Sequence, residues 1–171
     1  MHHTLIFKSK WGWMGLAESP KGLSSLVLSK PTKQAVLDEW STVGLVPGVP
    51  SARLRAAKKQ LVEYLAGKRT AFSIPVDLSA GTVFQRRVWK ALLALPYGQL
   101  SSYRNLAAVV GGRQYARAVG NAVGANPLPV LVPCHRVVAH DGSMGGFSCG
   151  LPVKRKLLAL EGSLARLTPG R

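Results

Sequence analysis

The residues with the clearest chemical potential lie in the segment Pro-Val-Leu-Val-Pro-Cys-His-Arg-Val-Val, at positions 129–138. A free cysteine thiol has a pKa of about 8.5, and a nearby imidazole or cation raises the fraction that is thiolate at neutral pH. His135 and Arg136 follow Cys134 directly, but neighbouring side chains of an extended segment point to opposite faces. Pro133 favours a bend, so His135 could act on the thiol around that bend or through a water. The alternative is that Cys134 is a small buried residue within an apolar run.

A metal site is the rival reading of the same region. Cys134, His135, His140 and Cys149 supply four nitrogen and sulfur ligands, but their spacing is not that of a paired zinc motif. A disulfide between Cys134 and Cys149 is geometrically possible, although two cysteines in 171 residues fit a reducing compartment. We therefore expect no metal and no cofactor.

The charge of the chain points to a polyanionic partner. Lys and Arg number 23 against 7 Asp and Glu, which gives a net charge of +16. Such an excess exceeds what solubility requires, so nucleic acid contact is favoured over a merely solvated basic surface. No signal peptide is recognisable, and no apolar run approaches the roughly 18 residues of a membrane span. We expect a monomer in the cytoplasm, or in the nucleus of a eukaryote, with no membrane contact.

The chain must then supply elements that position the cysteine. Alternating apolar residues predict three short strands, at 4–7, 11–17 and 23–28. Helical spacing of apolar residues predicts two helices, at 33–40 and 54–65. Residues 68–81 lack a strong period and are interpreted as a linker. Three short helices follow, at 82–95, from Ser101 or Ser102 to 110, and at 114–124. Short helices joined by glycine-containing turns on a basic protein are typical of a helix-turn-helix element.

The last of these three helices has a face of small residues, among which Arg117 is the one charge. This composition suits insertion into a narrow groove, but it suits tight helix packing equally well. Downstream, the glycine-rich segment at 144–150 allows Phe147 to stack on a planar ligand. A final helix at 153–161, with Pro152 at its first position, ends on Glu161, a carboxylate that opposes the helix dipole.

Taken together, these motifs resemble the O6-alkylguanine-DNA alkyltransferases, self-sacrificing repair proteins for alkylated guanine. The resemblance extends over about residues 82–162. It is carried by Val-Phe-Gln-Arg-Arg-Val-Trp (83–89), Pro-Tyr-Gly (96–98), Ser-Tyr (102–103), Ala-Arg-Ala-Val-Gly (116–120), Asn-Pro-Leu-Pro (126–129), Pro-Cys-His-Arg-Val (133–137) and Lys-Leu-Leu-Ala-Leu-Glu (156–161). The N-terminal part is similar only in general style; members of the family carry a small ribonuclease-H-like α/β domain there.

The resemblance implies a role for each catalytic candidate. Cys134 attacks the alkyl carbon in one in-line displacement, and the protein reacts once. His135 removes the thiol proton through a water, and Glu161 orients that imidazole. Tyr103 donates a proton to the leaving guanine, while Asn126 hydrogen-bonds around the active site and holds the turn that leads to the cysteine.

The resemblance also implies how DNA is bound. The damaged nucleotide is rotated out of the duplex, and Arg117 enters the stack in its place. The recognition helix lies in the minor groove, so that binding tolerates different sequences. The other residues expected to contact DNA are Tyr103, Ala116, Ala118 and Gly120. The residues expected to form the pocket for the base are Pro129, Val137, Phe147 and Ser148.

The sequence thus predicts an α+β protein, with a ribonuclease-H-like α/β domain at 1–75 and a mainly helical, winged-helix-like domain at 76–171. The predicted function is repair of O6-alkylguanine, and of O4-alkylthymine, in double-stranded DNA by transfer of the alkyl group to Cys134. The alternative is a DNA-binding module without catalysis, or a regulator whose cysteine senses alkylation or oxidation.

Overall fold

The computed structural model describes residues 3–168, and the chain divides between residues 78 and 79 into two compact units. The first unit combines a small sheet with two helices, and the second is mainly helical. The predicted α+β class and the order of its two parts are confirmed. Within residues 3–168, no helix is both long and apolar enough to cross a membrane.

The first unit is built on a three-stranded antiparallel meander. Its strands are β1 (His3–Ser9), β2 (Gly12–Ser19) and β3 (Gly22–Lys30), with β2 in the centre. Glycine stands at the tight turns, where Gly12 has a φ of +104° and Gly22 a φ of +155°. All three predicted strands are confirmed: β1 and β3 are longer than expected at both ends, and β2 begins one residue later and ends two residues later than expected.

Two helices pack on this sheet. They are α1 (Lys33–Thr42), capped by Thr32, and α2 (Ala52–Leu65), capped by Ser51. Trp40 of α1 is fully buried, and Gly15 in the central strand makes room for it. A Cβ at Gly15 would lie 2.6 Å from the Trp40 ring, so only glycine lets the helix approach so closely.

The prediction of a linker at 68–81 is wrong for residues 75–77. These residues pair with β3: the Leu23 amide donates to the Pro75 carbonyl, and the Asp77 amide donates to the Leu23 carbonyl. The Ser19 hydroxyl also donates to the Asp77 carboxylate. The segment lacks a hydrophobic period because it contributes backbone hydrogen bonds to the sheet rather than a packed face.

The second unit contains four α-helices and a two-stranded parallel pairing within the described residues. The helices are α3 (Val83–Leu93), α4 (Tyr103–Val110), α5 (Ala116–Gly124) and α6 (Leu151–Leu160); the strands are β4 (Ser101–Ser102) and β5 (Val137–Val138). A capping box between Thr82 and Gln85 starts α3, and the Ser102 hydroxyl caps α4. The Trp89 indole ties α3 to α5 by donating to the Ala122 carbonyl over 2.8 Å.

Helices α4 and α5 form the predicted helix-turn-helix element. They are joined by a glycine turn and one turn of 3-10 helix at Arg113–Tyr115, so the expected third helix at 114–124 begins two residues late. The expected last helix is also displaced: α6 starts at Leu151 and places Pro152 in its second position. Neither start is marked by a side-chain cap, so the apolar period alone placed it only to within two residues.

Candidate active site

A tight turn leads from α5 to Cys134, and the Asn126 side chain holds it at two points. Asn126 Nδ2 donates to the Val132 carbonyl over 2.8 Å, and its Oδ1 accepts from the Leu128 amide over 3.0 Å. Between these contacts Val130 has a φ of +76°, a conformation that costs a β-branched residue roughly 1–3 kcal/mol. The two Asn126 bonds offset that strain and fix the path of the chain to the cysteine.

The cysteine lies on a single turn of 3-10 helix that begins after Pro133. This turn comprises Cys134, His135 and Arg136, whose side chains are all buried. The tight bend departs from the extended geometry in which neighbouring side chains face opposite ways. His135 and Arg136 both reach the carboxylate of Glu161, the residue that follows α6.

The carboxylate of Glu161 is buried and accepts hydrogen bonds on both oxygens. Oε1 lies 2.7 Å from His135 Nε2 and 2.9 Å from Arg136 Nη2. Oε2 accepts from Arg136 Nε over 2.9 Å and from the Gly98 amide over 3.1 Å. Arg136 also donates to the Leu95 carbonyl over 2.6 Å. A buried charge needs such partners, and they explain how a carboxylate is tolerated at this helix end.

His135 is held as a neutral imidazole. Burial lowers its pKa, and the hydrogen bond and negative charge of Glu161 oppose that shift only in part. A neutral ring carries its proton on one nitrogen, and the carboxylate beside Nε2 favours that position. Nδ1 is then the basic atom; it is buried and has no hydrogen-bond partner among residues 3–168.

The Cys134 thiol is protonated in this environment. Burial raises its pKa to about 12, against which the Asn126 side chain and the positive charge of Lys154 act in the opposite direction. At neutral pH the thiol is therefore almost entirely protonated. The sulfur therefore needs a base to become an effective nucleophile.

Cys134 lines a cavity of about 140 Å³ in the second unit. Ser148 and Gly146 at this cavity are exposed, so it is accessible from solvent. The cavity brings together residues predicted for catalysis, DNA contact and the pocket; its lining is Tyr103, Gly120, Val123, Gly124, Cys134, Gly146, Phe147 and Ser148. Two residues expected as pocket walls, Pro129 and Val137, are buried and do not line it.

Lys154 is a residue of this site that the sequence reasoning missed. It is completely buried, and its Nζ donates to the Val137 carbonyl over 2.6 Å and to the Gly146 carbonyl over 3.0 Å. Burial lowers its pKa to about 8. Tyr103 Oη donates to the same Gly146 carbonyl over 3.4 Å. The ammonium thus joins β5 to the loop that carries Phe147.

The sequence does contain a signal for Lys154. It precedes Leu157 by three residues and Leu158 by four, so all three lie on the apolar face of α6. A lysine on the core face of a helix is rare and requires a partner. Its partners are backbone carbonyls, which leave no pattern in the sequence.

The predicted DNA-contacting residues lie along α5. Arg117 and Ala118 are exposed, and Ala116 and Gly120 are half-buried. Within residues 3–168, Arg117 forms no ion pair. The helix packs against the core through Val119, Ala122 and Val123, so the small residues identified from the sequence divide between a buried and a more exposed side of α5.

The structure also bears on the metal site considered from the sequence. Among residues 3–168, no group of three or more His, Cys, Asp or Glu side chains is placed to hold a metal ion. Cys134 and Cys149 are both free thiols, the first buried and the second half-buried.

Sequence comparison matches both units to domains of one protein family. The family model described as 6-O-methylguanine DNA methyltransferase, ribonuclease-like domain, matches residues 1–78. The model described as 6-O-methylguanine DNA methyltransferase, DNA binding domain, matches residues 83–163.

Individual relatives agree with these matches over nearly the whole chain. A Mycobacterium tuberculosis protein named methylated-DNA–protein-cysteine methyltransferase is 41% identical over 165 residues, covering 96% of this chain and 95% of the relative. The inducible enzyme of that name from Bacillus subtilis is 37% identical, covering 94% and 90%.

Solved structures give the same result. The crystal structure of Mycobacterium tuberculosis O6-methylguanine methyltransferase aligns with a TM-score of 0.79 at 39% identity, covering 99% of this chain and 97% of the other. A structure of Mycobacterium tuberculosis OGT in complex with DNA aligns with a TM-score of 0.79 at 38% identity, covering 96% and 94%.

The buried neutral His135 predicts a loss of stability in acid. Its folded pKa lies below the unfolded value of about 6.5, so below pH 6.5 the unfolded chain binds a proton that the folded chain does not. The free energy of unfolding should therefore fall as the pH drops from about 6.5 toward the folded pKa. Urea unfolding between pH 7 and pH 5 should show this slope, at most about 1.4 kcal/mol per pH unit, in the wild type and a shallower one in His135→Gln.

The control for this measurement is His140→Gln, which removes an exposed histidine of the same unit. It should keep the wild-type slope. A His135→Gln variant with an unchanged slope would contradict a neutral, buried imidazole.

Proposed function

Because this chain belongs to the 6-O-methylguanine DNA methyltransferase family, we propose that its Cys134 directly accepts the alkyl group of O6-alkylguanine in DNA. Family and relatives make it an enzyme of DNA repair by alkyl transfer. The observation that carries the specific proposal is the cavity at Cys134, beside the buried pair of His135 and Glu161.

The reaction is a single displacement at the alkyl carbon. A bond forms between the Cys134 sulfur and this carbon as the bond from carbon to O6 breaks, and the electron pair leaves with guanine. The product thioether has no ionisable proton and is a poor leaving group, so the sulfur is not regenerated. Each molecule therefore repairs one lesion. The same displacement applies to O4-alkylthymine.

Proton removal from the thiol is the step that the buried network serves. His135 Nδ1 accepts the Cys134 proton through a bridging water, as a general base. The imidazolium that forms is stabilised by Glu161, whose carboxylate is 2.7 Å from Nε2. Arg136 fixes this carboxylate by two hydrogen bonds, so Glu161 is oriented before the reaction begins.

The other side of the cavity handles the base. Tyr103 lines it and donates a proton toward the departing guanine, while Phe147 offers a ring on which the purine stacks. Lys154 holds the Gly146 carbonyl beside both residues, which keeps the loop in place for the incoming base.

DNA is bound through the exposed side of α5. The lesion is inaccessible inside a duplex, so the nucleotide must be rotated out into the cavity. Arg117 is exposed and forms no ion pair with any residue from 3 to 168, so it is suited to fill the vacated position in the stack. Ala118 beside it is small enough for α5 to enter the minor groove, which leaves the major groove unread. We expect the protein to act as a monomer in the compartment that holds the DNA.

The competing function is DNA binding without repair, or alkylation and redox sensing. Both functions predict affinity for DNA, so binding alone does not separate them. The buried base beside Cys134 favours transfer, because recognition without chemistry would not require it.

Mass spectrometry after mixing with duplex DNA that contains O6-methylguanine separates the two functions. We expect one added methyl group on the peptide that contains Cys134, and unmodified guanine in the DNA, at one equivalent per protein molecule. The physical reason is that the methyl carbon moves intact from oxygen to sulfur.

Two variants control for the identity of the acceptor. Cys149→Ser should react like the wild type, whereas Cys134→Ser should bind DNA and leave the lesion unchanged. Protein and DNA masses that both stay constant in the wild type would identify a binder and refute the proposal.

Replacing Arg117 should impair repair of duplex DNA far more than reaction with a free base. Without the side chain, the vacated stack is unfilled and the extruded state is less populated, so we expect Arg117→Ala to slow duplex repair by roughly tenfold to hundredfold. Reaction with free O6-benzylguanine, which needs no extrusion, should stay near the wild-type rate.

The matched control is Arg155→Ala, which removes an exposed arginine of α6 in the same unit. It should slow both reactions little. If Arg117→Ala slowed the reactions with duplex DNA and with the free base by the same factor, this would count against a role of Arg117 in rotating the nucleotide out of the duplex.

A further inference from the structure

The first unit contains a groove that alkyl transfer does not use. Its volume is about 630 Å³, within the range of ligand and peptide sites. It lies between the turn that joins β1 to β2 and one side of α2. The lining residues are Lys8, Ser9, Lys10, Trp11, Lys58, Val62, Leu65 and Ala66.

Local structure forms this groove in advance of any ligand. On α2, Lys58, Val62 and Leu65 are spaced by four and three residues, so they share one stripe of the helix. On the opposite side, the Trp11 amide donates to the Ser9 hydroxyl over 3.0 Å. The Trp11 carbonyl accepts from the Ser29 hydroxyl over 2.6 Å. Both walls are therefore held by the fold.

The chemistry of the groove divides into an apolar floor and a basic rim. Val62 is 41% exposed, an unusual amount for a β-branched residue beside Leu65 and Trp11. Lys8, Lys10 and Lys58 are all exposed on the rim. Among residues 3–168, none of these three lysines lies within 4.0 Å of a carboxylate, so no acidic side chain neutralises their charges. The Lys58 ammonium lies 5.3 Å from the centroid of the Phe7 ring, a contact that leaves its charge in place.

We propose that this groove binds an acidic segment of another protein, with an apolar side chain of that segment on the floor and its carboxylates at the three lysines. The floor gives affinity by burying apolar surface, and the rim selects for negative charge and steers the encounter. The proposal concerns the first unit and does not depend on how the second unit transfers the alkyl group.

A second copy of the chain fits the groove poorly. The net charge of +16 makes two copies repel each other, and only seven acidic residues are available in each. The first unit has five acidic residues, at positions 18, 38, 39, 63 and 77. Glu18, Glu39 and Glu63 are already in ion pairs, and the Asp77 carboxylate accepts from the Ser19 hydroxyl. Self-association would place like charges opposite the lysines.

Nucleic acid also fits less well than a peptide. The backbone of a DNA duplex could reach the lysines, but it presents continuous charge and keeps its bases stacked inside, so it would bury no apolar group against Val62 and Leu65. A peptide alternates charged and apolar side chains, which matches a rim of lysines around Val62 and Leu65.

Fluorescence anisotropy with the full chain tests this proposal, with fluorescein-labelled Asp-Asp-Asp-Asp-Leu-Phe as the probe. We expect saturable binding below about 1 mM. The probe Asp-Asp-Asp-Asp-Ser-Ser, which has the same charge but no apolar side chain, should bind about tenfold more weakly. Lys58→Glu should weaken binding of the first probe about tenfold, and Val62→Ser should weaken it in the same direction.

The matched control is Lys21→Glu, the same charge reversal at an exposed lysine between β2 and β3, outside the groove. It should change binding less than about twofold. Unchanged repair of O6-methylguanine DNA by all three variants would show that they are folded, independently of the groove.

Four results would overturn the proposal. The first is no binding of the first probe, and the second is equal affinity for the two probes. The third is an equal loss of affinity for the first probe in Lys58→Glu and Lys21→Glu. The fourth is displacement of the probe by single-stranded oligothymidylate, if the affinity for oligothymidylate also falls in Val62→Ser. The first removes the site, the second and third reduce it to general attraction of negative charge, and the fourth assigns the groove to nucleic acid.

Discussion

The buried ion pair of Glu161 and Arg136 is the interaction on which the reactive part of the second unit depends. A carboxylate removed from water is tolerated only if its charge and its lone pairs are satisfied, and here four hydrogen bonds do so. The donors come from the 3-10 turn that carries Cys134 and from Gly98, between α3 and β4. One carboxylate therefore fixes the end of α6, the reactive turn and the preceding loop relative to one another.

The ion pair of Glu161 and Arg136 also affects the charge state of His135. Since Arg136 already balances Glu161, His135 has no need to be charged, and burial keeps its imidazole neutral with a lowered pKa. A neutral ring can accept a proton, and the carboxylate behind it stabilises the cation that results. Burial that raises the pKa of Cys134 thus creates the need for a base, and in our proposal that base is His135.

The sequence predicted those parts of the structure in which neighbouring residues form a recognisable pattern. The strands of the first unit follow from alternation, and the helix-turn-helix follows from caps and glycine turns. The candidate residues Cys134, His135 and Glu161 came from residue chemistry and family resemblance, and the structure places them together. Their roles in transfer remain proposals.

The residues that were not predicted from the sequence make their contacts with or through backbone groups. Lys154 donates to two backbone carbonyls, and residues 75–77 pair with β3 through backbone hydrogen bonds, so these contacts leave no motif in the sequence. Pro129 and Val137 were expected at the pocket from the resemblance to the alkyltransferase family, Val137 through its backbone. Both side chains are buried and lie outside the cavity lining: Pro129 belongs to the turn held by Asn126, and Val137 belongs to β5, which pairs with β4.

The single-turnover rate constant of Glu161→Gln with O6-methylguanine duplex tests most directly whether this carboxylate prepares the base. The measurement is made at a temperature where near-UV circular dichroism shows the variant to be folded, with DNA affinity determined in parallel. We expect the rate constant to fall about a hundredfold while DNA affinity is unchanged, because a general base contributes roughly 10²–10⁴-fold. A folded variant that transfers the methyl group at the wild-type rate would contradict the account.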